Sequence, residues 1–305
     1  MSLLLSLLAM LVLLAAGIAA RRVGILDPTR RERLNAFAYY VALPALILSS
    51  TYDQPLSEVL SGRLVVGVAG TLLVIAGIAT LVYRREVDPG VRSVATVQSY
   101  HSNLGYLGVP VVATTFGGLA TAKAALILGV AALVQIGLTI TILTTANDAE
   151  ASLTSELGGV VTNPAIVSVI VGLAASVAGI AIPELADAGL GYLGELALPI
   201  ALLCVGAALT LEADEIPFGT VSTVVVLKLV AMPIVALGAF WLVGANDSTI
   251  RAGVVMMAMP SAVSTYVFAS ELGGDRKLAS LNVFATTVFS VGSLLLVVQI
   301  VRAIV

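Results

Sequence analysis

Long runs of apolar residues alternate along the chain with short segments that contain charged residues, glycine or proline. A helix needs about 20 apolar residues to cross the hydrocarbon core of a bilayer, and these runs have that length. The pattern predicts ten membrane-spanning helices, which cover residues 3–20, 35–52, 63–83, 93–116, 122–145, 158–181, 190–211, 217–243, 250–271 and 278–302. We therefore predict an all-α polytopic membrane protein and number these segments as spans one to ten.

Spans two and seven share a proline motif. Ala-Leu-Pro-Ala-Leu-Ile-Leu surrounds Pro44, and Ala-Leu-Pro-Ile-Ala-Leu-Leu surrounds Pro199, 155 residues later. The same offset carries the limits of spans one to five onto spans six to ten within a few residues. Proline is common in membrane helices, but the offset shared by all five spans favours an internal duplication.

The duplication predicts two five-helix repeats, residues 1–145 and 158–305, joined by a short cytoplasmic loop at 146–157. Because five crossings is an odd number, the second repeat must enter the membrane from the opposite side. An inverted-topology repeat of this kind is typical of secondary transporters.

Composition supports a membrane protein and excludes several other classes. Of the 305 residues, 59% are hydrophobic and only 11% are charged, so no sizeable soluble domain fits beside ten spans. The net charge of -3 gives no basic surface for nucleic acid. A single histidine, a single cysteine and the lack of an HExxH or CxxC pair argue against a His/Cys metal site, and no cofactor is predicted.

Lysine and arginine are unevenly distributed over the predicted loops. If both termini lie outside the plasma membrane, ten of these residues fall in cytoplasmic loops and four, Arg63, Lys123, Arg251 and Arg302, fall outside. Cytoplasmic loops usually contain the excess of basic residues. The distribution therefore predicts that both termini are outside.

Spans four and nine contain residues that interrupt helices. Span four includes Gly105, Gly108 and Pro110 after a polar segment, and adding 155 to 110 leads to Thr265, just after Pro260 in span nine. Proline removes a backbone donor, glycine tolerates unwinding, and the freed backbone groups must be packed in protein or line a cavity. Broken helices four and nine at corresponding positions of two inverted repeats point to a transporter binding site.

The ends of broken helices attract ions. Half-helix N-termini attract carboxylates and C-termini attract cations, so a small organic anion is the expected ligand. Tyr106 could share a helical face with Asn103, although tyrosine is also an ordinary packing residue. The candidate substrate contacts are Asn103, Ser102, Tyr106, Ser261, Ser264 and Thr265.

Four segments resemble the auxin efflux carrier family. They are residues 102–110, residues 266–273, Asn163-Pro164, and the stretch from Asn35 to Pro44. This family includes the plant PIN carriers and prokaryotic permeases related to malate and malonate carriers, and the chain resembles the prokaryotic branch over essentially its whole length.

The resemblance implies a crossover of spans four and nine and a homodimer formed through the scaffold. It also implies an elevator-type movement of spans three, four, five, eight, nine and ten against a scaffold of spans one, two, six and seven. By this resemblance, Asn103 contacts the substrate carboxylate and Pro110 is the first crossover proline. Plant members have a proline where this chain has Thr265, and their long cytoplasmic loop is reduced here to residues 146–157, so auxin is not the expected substrate.

Two ionisable residues fall at membrane depth. Lys228 lies near the centre of span eight, and an unpaired lysine there is costly, so it should compensate half-helix C-termini or pair with the substrate anion. The alternative is a lysine that only holds helices together. His101 titrates in the physiological range and is a candidate proton carrier, with a packed, hydrogen-bonded histidine as the alternative.

These observations favour a secondary active transporter for a small organic anion, operating by alternating access. An enzyme is not expected, because the chain has one histidine, no GxSxG motif and no intramembrane aspartate pair. A channel would need a continuous polar stripe along several helices. The alternative transporter is a sodium-coupled carrier similar to bile-acid symporters, but no acidic residue lies near either break, which favours proton coupling or uniport.

Overall fold

A computed structural model describes residues 3–208 and 217–305, and it contains helices but no β-strand in these ranges. The α-helices are α1 (Leu3–Arg22), α2 (Pro28–Phe37), α3 (Leu43–Thr51), α4 (Leu56–Val59), α5 (Gly62–Val82), α6 (Pro89–Gln98), α7 (Val109–Phe116), α8 (Gly118–Asn147), α9 (Leu153–Val161), α10 (Pro164–Val177), α11 (Glu184–Glu195), α12 (Ala197–Ala208), α13 (Phe218–Val226), α14 (Met232–Leu242), α15 (Asp247–Met257), α16 (Ser264–Glu271) and α17 (Arg276–Ile304). Shorter π-helical turns lie at Ala38–Ala42, Leu104–Gly108 and Leu227–Ala231, and a 3₁₀ turn lies at Tyr83–Arg85.

In the part of the chain that the structure describes, six continuous helical segments are long and apolar enough to cross a membrane. They are Pro28–Thr51, Leu56–Arg85, Gly118–Asn147, Glu184–Ala208, Phe218–Leu242 and Arg276–Ile304. The chain is therefore an all-α polytopic membrane protein, as predicted. All ten predicted spans overlap helical residues, although residues 209–211 of span seven lie outside the described ranges. The count of ten crossings, the inverted repeat and the orientation of the termini stay predictions.

Side-chain caps define where several helices begin. In each case an Asp or Asn oxygen accepts a hydrogen bond from a backbone N–H two or three residues later, which satisfies one of the free donors of the first turn. The capping residues are Asp27, Asp88, Asn163, Asn246 and Asp275. The first three are each followed by proline at the first helical position, where its missing N–H is not needed.

Each of the three π-helical turns ends two residues before a proline. The prolines are Pro44, Pro110 and Pro233. A proline inside a helix cannot donate to the carbonyl four residues earlier, and its ring clashes with that carbonyl. The wider π turn accommodates this mismatch, so the helix continues through the proline instead of ending there.

The residues form two compact units. The first comprises Met1–Ser61, Leu104–Leu128 and Val161–Leu209. Within it, α1 packs along α12, and α3 packs against α10 and α11. Gly17 lies against the backbone carbonyl of Leu203, and Gly206 lies against that of Leu14, so the two helices approach closely through reciprocal glycines.

The second unit comprises the described residues of Gly62–Asn103, Gly129–Val160 and Thr210–Val305. Within it, α14 packs against α5 and α15, while α17 packs against α6, α13 and α15. The buried ring of Phe240 fills the space left by two glycines, Gly67 and Gly253, where no added Cβ could fit without moving the ring. This packing holds together the elements that carry the candidate site.

Candidate functional site

The helical structure is interrupted at two places near the candidate site. Residues 99–103 are not helical between α6 and the following π turn, and residues 258–263 are not helical between α15 and α16. Pro260 lies inside the second interruption. The first interruption differs from the prediction, because Gly105 and Gly108 belong to the π turn and Pro110 belongs to α7. Since the π turn accommodates Pro110, the helix breaks before this segment and not at the proline.

The two interruptions pair with each other through their backbones. Ser102 and Ser261 form an isolated antiparallel β-bridge. The N–H of Asn103 donates to the carbonyl of Pro260 at 2.8 Å, and the N–H of Ala262 donates to the carbonyl of His101 at 3.1 Å. Backbone groups released by one break are thus satisfied by the other, which is what a non-helical segment at membrane depth requires.

Lys228 is fully buried beside this pairing. Its Nζ lies 2.6 Å from Ser102 Oγ, 3.0 Å from Met232 Sδ and 3.2 Å from the carbonyl oxygen of Met257. An ammonium has three donors, and these three acceptors use all of them. Met257 is the last residue of α15, so the lysine caps a half-helix C-terminus. Within residues 3–208 and 217–305, no carboxylate lies within salt-bridge distance of the ammonium.

The side chain of Asn103 is available to form hydrogen bonds with a ligand. The residue is 6% exposed, and its backbone N–H is used by Pro260. Its carboxamide makes no hydrogen bond to any described residue. A carboxamide has two donors and an acceptor oxygen, so it offers a ligand both kinds of hydrogen bond.

His101 is packed and hydrogen-bonded. Its Nδ1 lies 2.9 Å from Thr139 Oγ1, which also lies 3.0 Å from the hydroxyl of Tyr100. The imidazole lies near the rings of Tyr100 and Phe268, with ring centroids 6.4 and 6.2 Å away. These contacts fix the orientation of the imidazole, and a role in proton transfer stays a prediction.

Gln98, the last residue of α6, joins the two breaks to span ten. Its Nε2 donates to Thr265 Oγ1 and to the carbonyl of Ala279, both at 2.9 Å. Its Oε1 accepts from Asn282 Nδ2 at 2.8 Å. All four residues are buried, so this amide network fixes the relative position of α6, α16 and α17.

Ser261 is held by the same network. Its Oγ donates to the backbone carbonyl of Gln98 at 2.7 Å, and its N–H donates to Thr286 Oγ1 at 3.2 Å. Ser261 and Thr265 therefore support the site through internal hydrogen bonds. Sequence reasoning missed the contribution of Asn282 and Thr286, although two polar residues four positions apart in an apolar span signal one polar face.

Two other candidates take no part in the described hydrogen-bond network of this cluster. Ser264 is exposed at the first position of α16. Tyr106 belongs to the first unit, where its hydroxyl accepts from Asn35 Nδ2 at 3.1 Å and its ring stacks on Tyr39 with centroids 5.7 Å apart. Their predicted contact with substrate stays a prediction, and the contacts of Tyr106 are those of a packing residue.

Comparison with known proteins identifies the family. The sequence model of a family described as "Membrane transport protein" matches residues 2–159 and 151–298, nearly the whole chain. The chain belongs to the auxin efflux carrier family of membrane transport proteins. Membership indicates an integral membrane transporter of a small molecule and not an enzyme.

Two relatives align over most of this carrier's length. A protein of Rhizobium meliloti (strain 1021) named "Putative malonate transporter" is 25% identical over 282 residues, which cover 88% of this chain and 87% of the relative. A protein of Methanothermobacter thermautotrophicus named "Uncharacterized transporter" is 26% identical over 289 residues, which cover 94% of each chain. Both names agree with a transport function for the family.

Proposed function

We propose that this carrier is a secondary active transporter that moves a small carboxylate across the plasma membrane. The observation that carries the proposal is the buried Lys228 ammonium, whose partners among the described residues are neutral acceptors, close in sequence to the available carboxamide of Asn103, which follows Ser102. A buried positive charge without an acidic partner favours binding of an anion. The relative named for malonate supports a short carboxylate as the substrate.

The proposed roles follow from the contacts of each side chain. Asn103 and Ser102 bind the substrate directly, because the first has a free carboxamide and the second already contacts the Lys228 ammonium. Ser261 and Thr265 position the two breaks through the amide network.

We further propose an elevator-type alternating-access mechanism, in which the second compact unit moves the substrate and the first serves as the scaffold. Spans one, two, six and seven fall in the first unit, and the whole paired-break cluster falls in the second, which supports this division. The second half of span four and the beginning of span five fall in the first unit, so the proposed boundary passes through these two spans. A homodimer formed through the scaffold and termini on the outer side belong to the same proposal.

The test is uptake by purified protein in liposomes. Labelled mono- and dicarboxylates are supplied with an imposed pH gradient, an imposed sodium gradient or neither. We expect uptake of at least one short carboxylate without sodium. Transport of only neutral or cationic solutes would disprove the proposed substrate class, and uptake that needs sodium would favour the symporter alternative.

Lys228→Met tests whether the lysine charge is needed for uptake, because it keeps an unbranched side chain and removes the charge. We expect uptake to fall to the level of protein-free liposomes while the detergent-solubilised protein stays monodisperse. Lys277→Met is the control, since Lys277 is exposed at the beginning of α17. Full uptake by Lys228→Met would remove the lysine from the mechanism.

A further inference from the structure

One full positive charge lies beside the two breaks. Within the second unit, two half-helices end there, at Gln98 and Met257, and α16 begins there, at Ser264. Helix C-termini carry about -0.5 charge each and N-termini about +0.5 each, so these three ends together add no positive charge. The ammonium of Lys228 is therefore the positive charge that a ligand would meet.

This ammonium and its contacts belong to the second unit. Ser102, Met232 and Met257, which hold the ammonium, all belong to that unit. None of them is ionisable, so the described contacts of Lys228 contain no group that could neutralise it. A ligand that enters this cluster meets the ammonium of Lys228 and the carboxamide of Asn103.

We propose that the site binds a monoanion, so that a short dicarboxylate is transported in its half-protonated form. This inference rests on the proposed function, and it adds the charge state of the substrate. One carboxylate is balanced by Lys228. A second carboxylate would have no cation to balance it in a buried site, and an unpaired buried charge is strongly disfavoured.

A protonated carboxyl group, in contrast, suits Asn103. The carboxamide oxygen accepts from the carboxyl O–H, and the carboxamide N–H donates to the carboxyl C=O. The available hydrogen-bonding groups of Asn103 therefore complement a carboxylic acid. The transported proton then travels on the substrate, which makes dicarboxylate uptake sensitive to a pH gradient without a proton carrier in the protein.

Titratable groups of the protein near Lys228 could also make uptake depend on pH, so the experiment must distinguish their titration from protonation of the substrate. His101 interacts electrostatically with Lys228, and Tyr100 precedes it in the same break. The π turn that holds Lys228 packs against α5, α13, α14 and α17, and Ser102 and Met257 bring α6 and α15 beside it. Of these helices, α13 and α14 have no charged residue. The charged residues of the others are Arg63, Arg92, Asp247, Arg251, Arg276, Lys277 and Arg302.

The experiment compares two probes, malonate and monomethyl malonate, with wild-type protein in liposomes. The monoester is a monoanion at every pH above its single pKa, so its uptake reports any titration of the protein, including that of His101. Initial uptake rates at low substrate concentration are measured over a pH series above the second pKa of malonic acid. We expect the ratio of malonate to monoester uptake to fall about tenfold for each added pH unit, in proportion to the half-protonated fraction.

An acidic exterior should also accelerate malonate uptake more than monoester uptake. A ratio that stays constant with pH would overturn the monoanion inference and leave the proposed function standing. If neither probe nor any other carboxylate is taken up, the proposed function fails, and this inference fails with it. The measurement uses the wild-type chain, so it does not depend on whether a variant folds.

Discussion

At the scale of residues, Gln98 is the centre of the amide network. Its side-chain Nε2 donates to two groups, its Oε1 accepts from a third, and its backbone carbonyl accepts from Ser261 Oγ. Gln98 thus contacts both the second break and span ten. A residue with four specific partners at membrane depth is expected to position the site, even though it need not touch the substrate.

The corresponding prediction concerns Gln98→Leu. The substitution leaves Asn282 Nδ2 and Thr265 Oγ1 without the partner that each has now, while the volume of the side chain changes little. A buried polar group left unpaired costs about 1–3 kcal/mol, although interhelical hydrogen bonds in membranes are often worth less than 1 kcal/mol. We expect the free energy of unfolding in detergent to fall by about 1–3 kcal/mol, together with weaker substrate binding.

Gln299→Leu provides the matched control, because Gln299 is exposed on α17. Its unfolding should match that of wild type in a thermal or denaturant titration. Equal stability of the Gln98 and Gln299 variants would show that the amide network contributes nothing measurable to the fold.

The sequence predicted some of these residues and missed others for a physical reason. Asn103 and Ser102 could be predicted because polar side chains and helix breakers occur together at membrane depth. The pairing of Gln98 with Asn282 could not be predicted, since the two residues are 184 positions apart. Local composition shows that a polar side chain needs a partner, but it does not show which distant residue the fold brings to it.

At the scale of elements, proline positions were easier to interpret than helix breaks. Pro44, Pro110 and Pro233 all perturb their helices, and each does so through a π turn that keeps the helix continuous. The break in span four lies before Pro110 because tertiary pairing with residues 260–262 satisfies the unwound backbone. Proline thus predicts an irregular span, while the partner segment decides where the backbone unwinds.

The contact of α1 with α12 leads to a prediction at this scale. Gly17 lies against the carbonyl of Leu203, so a branched side chain there would force the two helices apart. We expect Gly17→Val to lower the free energy of unfolding by about 1–3 kcal/mol, the usual effect of overpacking. Chemical denaturation in detergent measures this change.

Gly77→Val is the control that distinguishes overpacking between α1 and α12 from the effect of placing valine in a helix. Gly77 is exposed on α5 with open space where a Cβ would be added. Its substitution is expected to leave stability near the wild-type value. If both variants lose the same amount, close packing of α1 on α12 is not the cause.

At the scale of the whole molecule, the two repeats and the two compact units divide the chain differently. The predicted repeats are consecutive, whereas each compact unit contains segments from both halves of the sequence. This arrangement is expected when two copies of one repeat contribute matching spans to each functional part, as in transporters with inverted repeats. Hydrophobic periodicity locates the spans, but it does not assign them to units, because that assignment depends on which helices pack together.

The inverted topology itself makes a prediction about accessibility. Arg22 lies at the end of α1, and its counterpart at an offset of 155 is Val177 at the end of α10 (22 + 155 = 177). Spans two to five lie between the two positions, and Val177 lies near the end of span six, where α10 ends, so five crossings place them on opposite sides of the membrane. Both residues are exposed, and Cys204 is the only cysteine of the chain, so single-cysteine variants are simple to make in a Cys204→Ser background.

The variants are labelled with a membrane-impermeant maleimide on intact cells. We expect Val177→Cys to react and Arg22→Cys to react only after the membrane is permeabilised, because the excess of basic residues places Arg22 inside. Labelling of both from the same side would require an even number of crossings between them, and the two halves would then be parallel and not inverted.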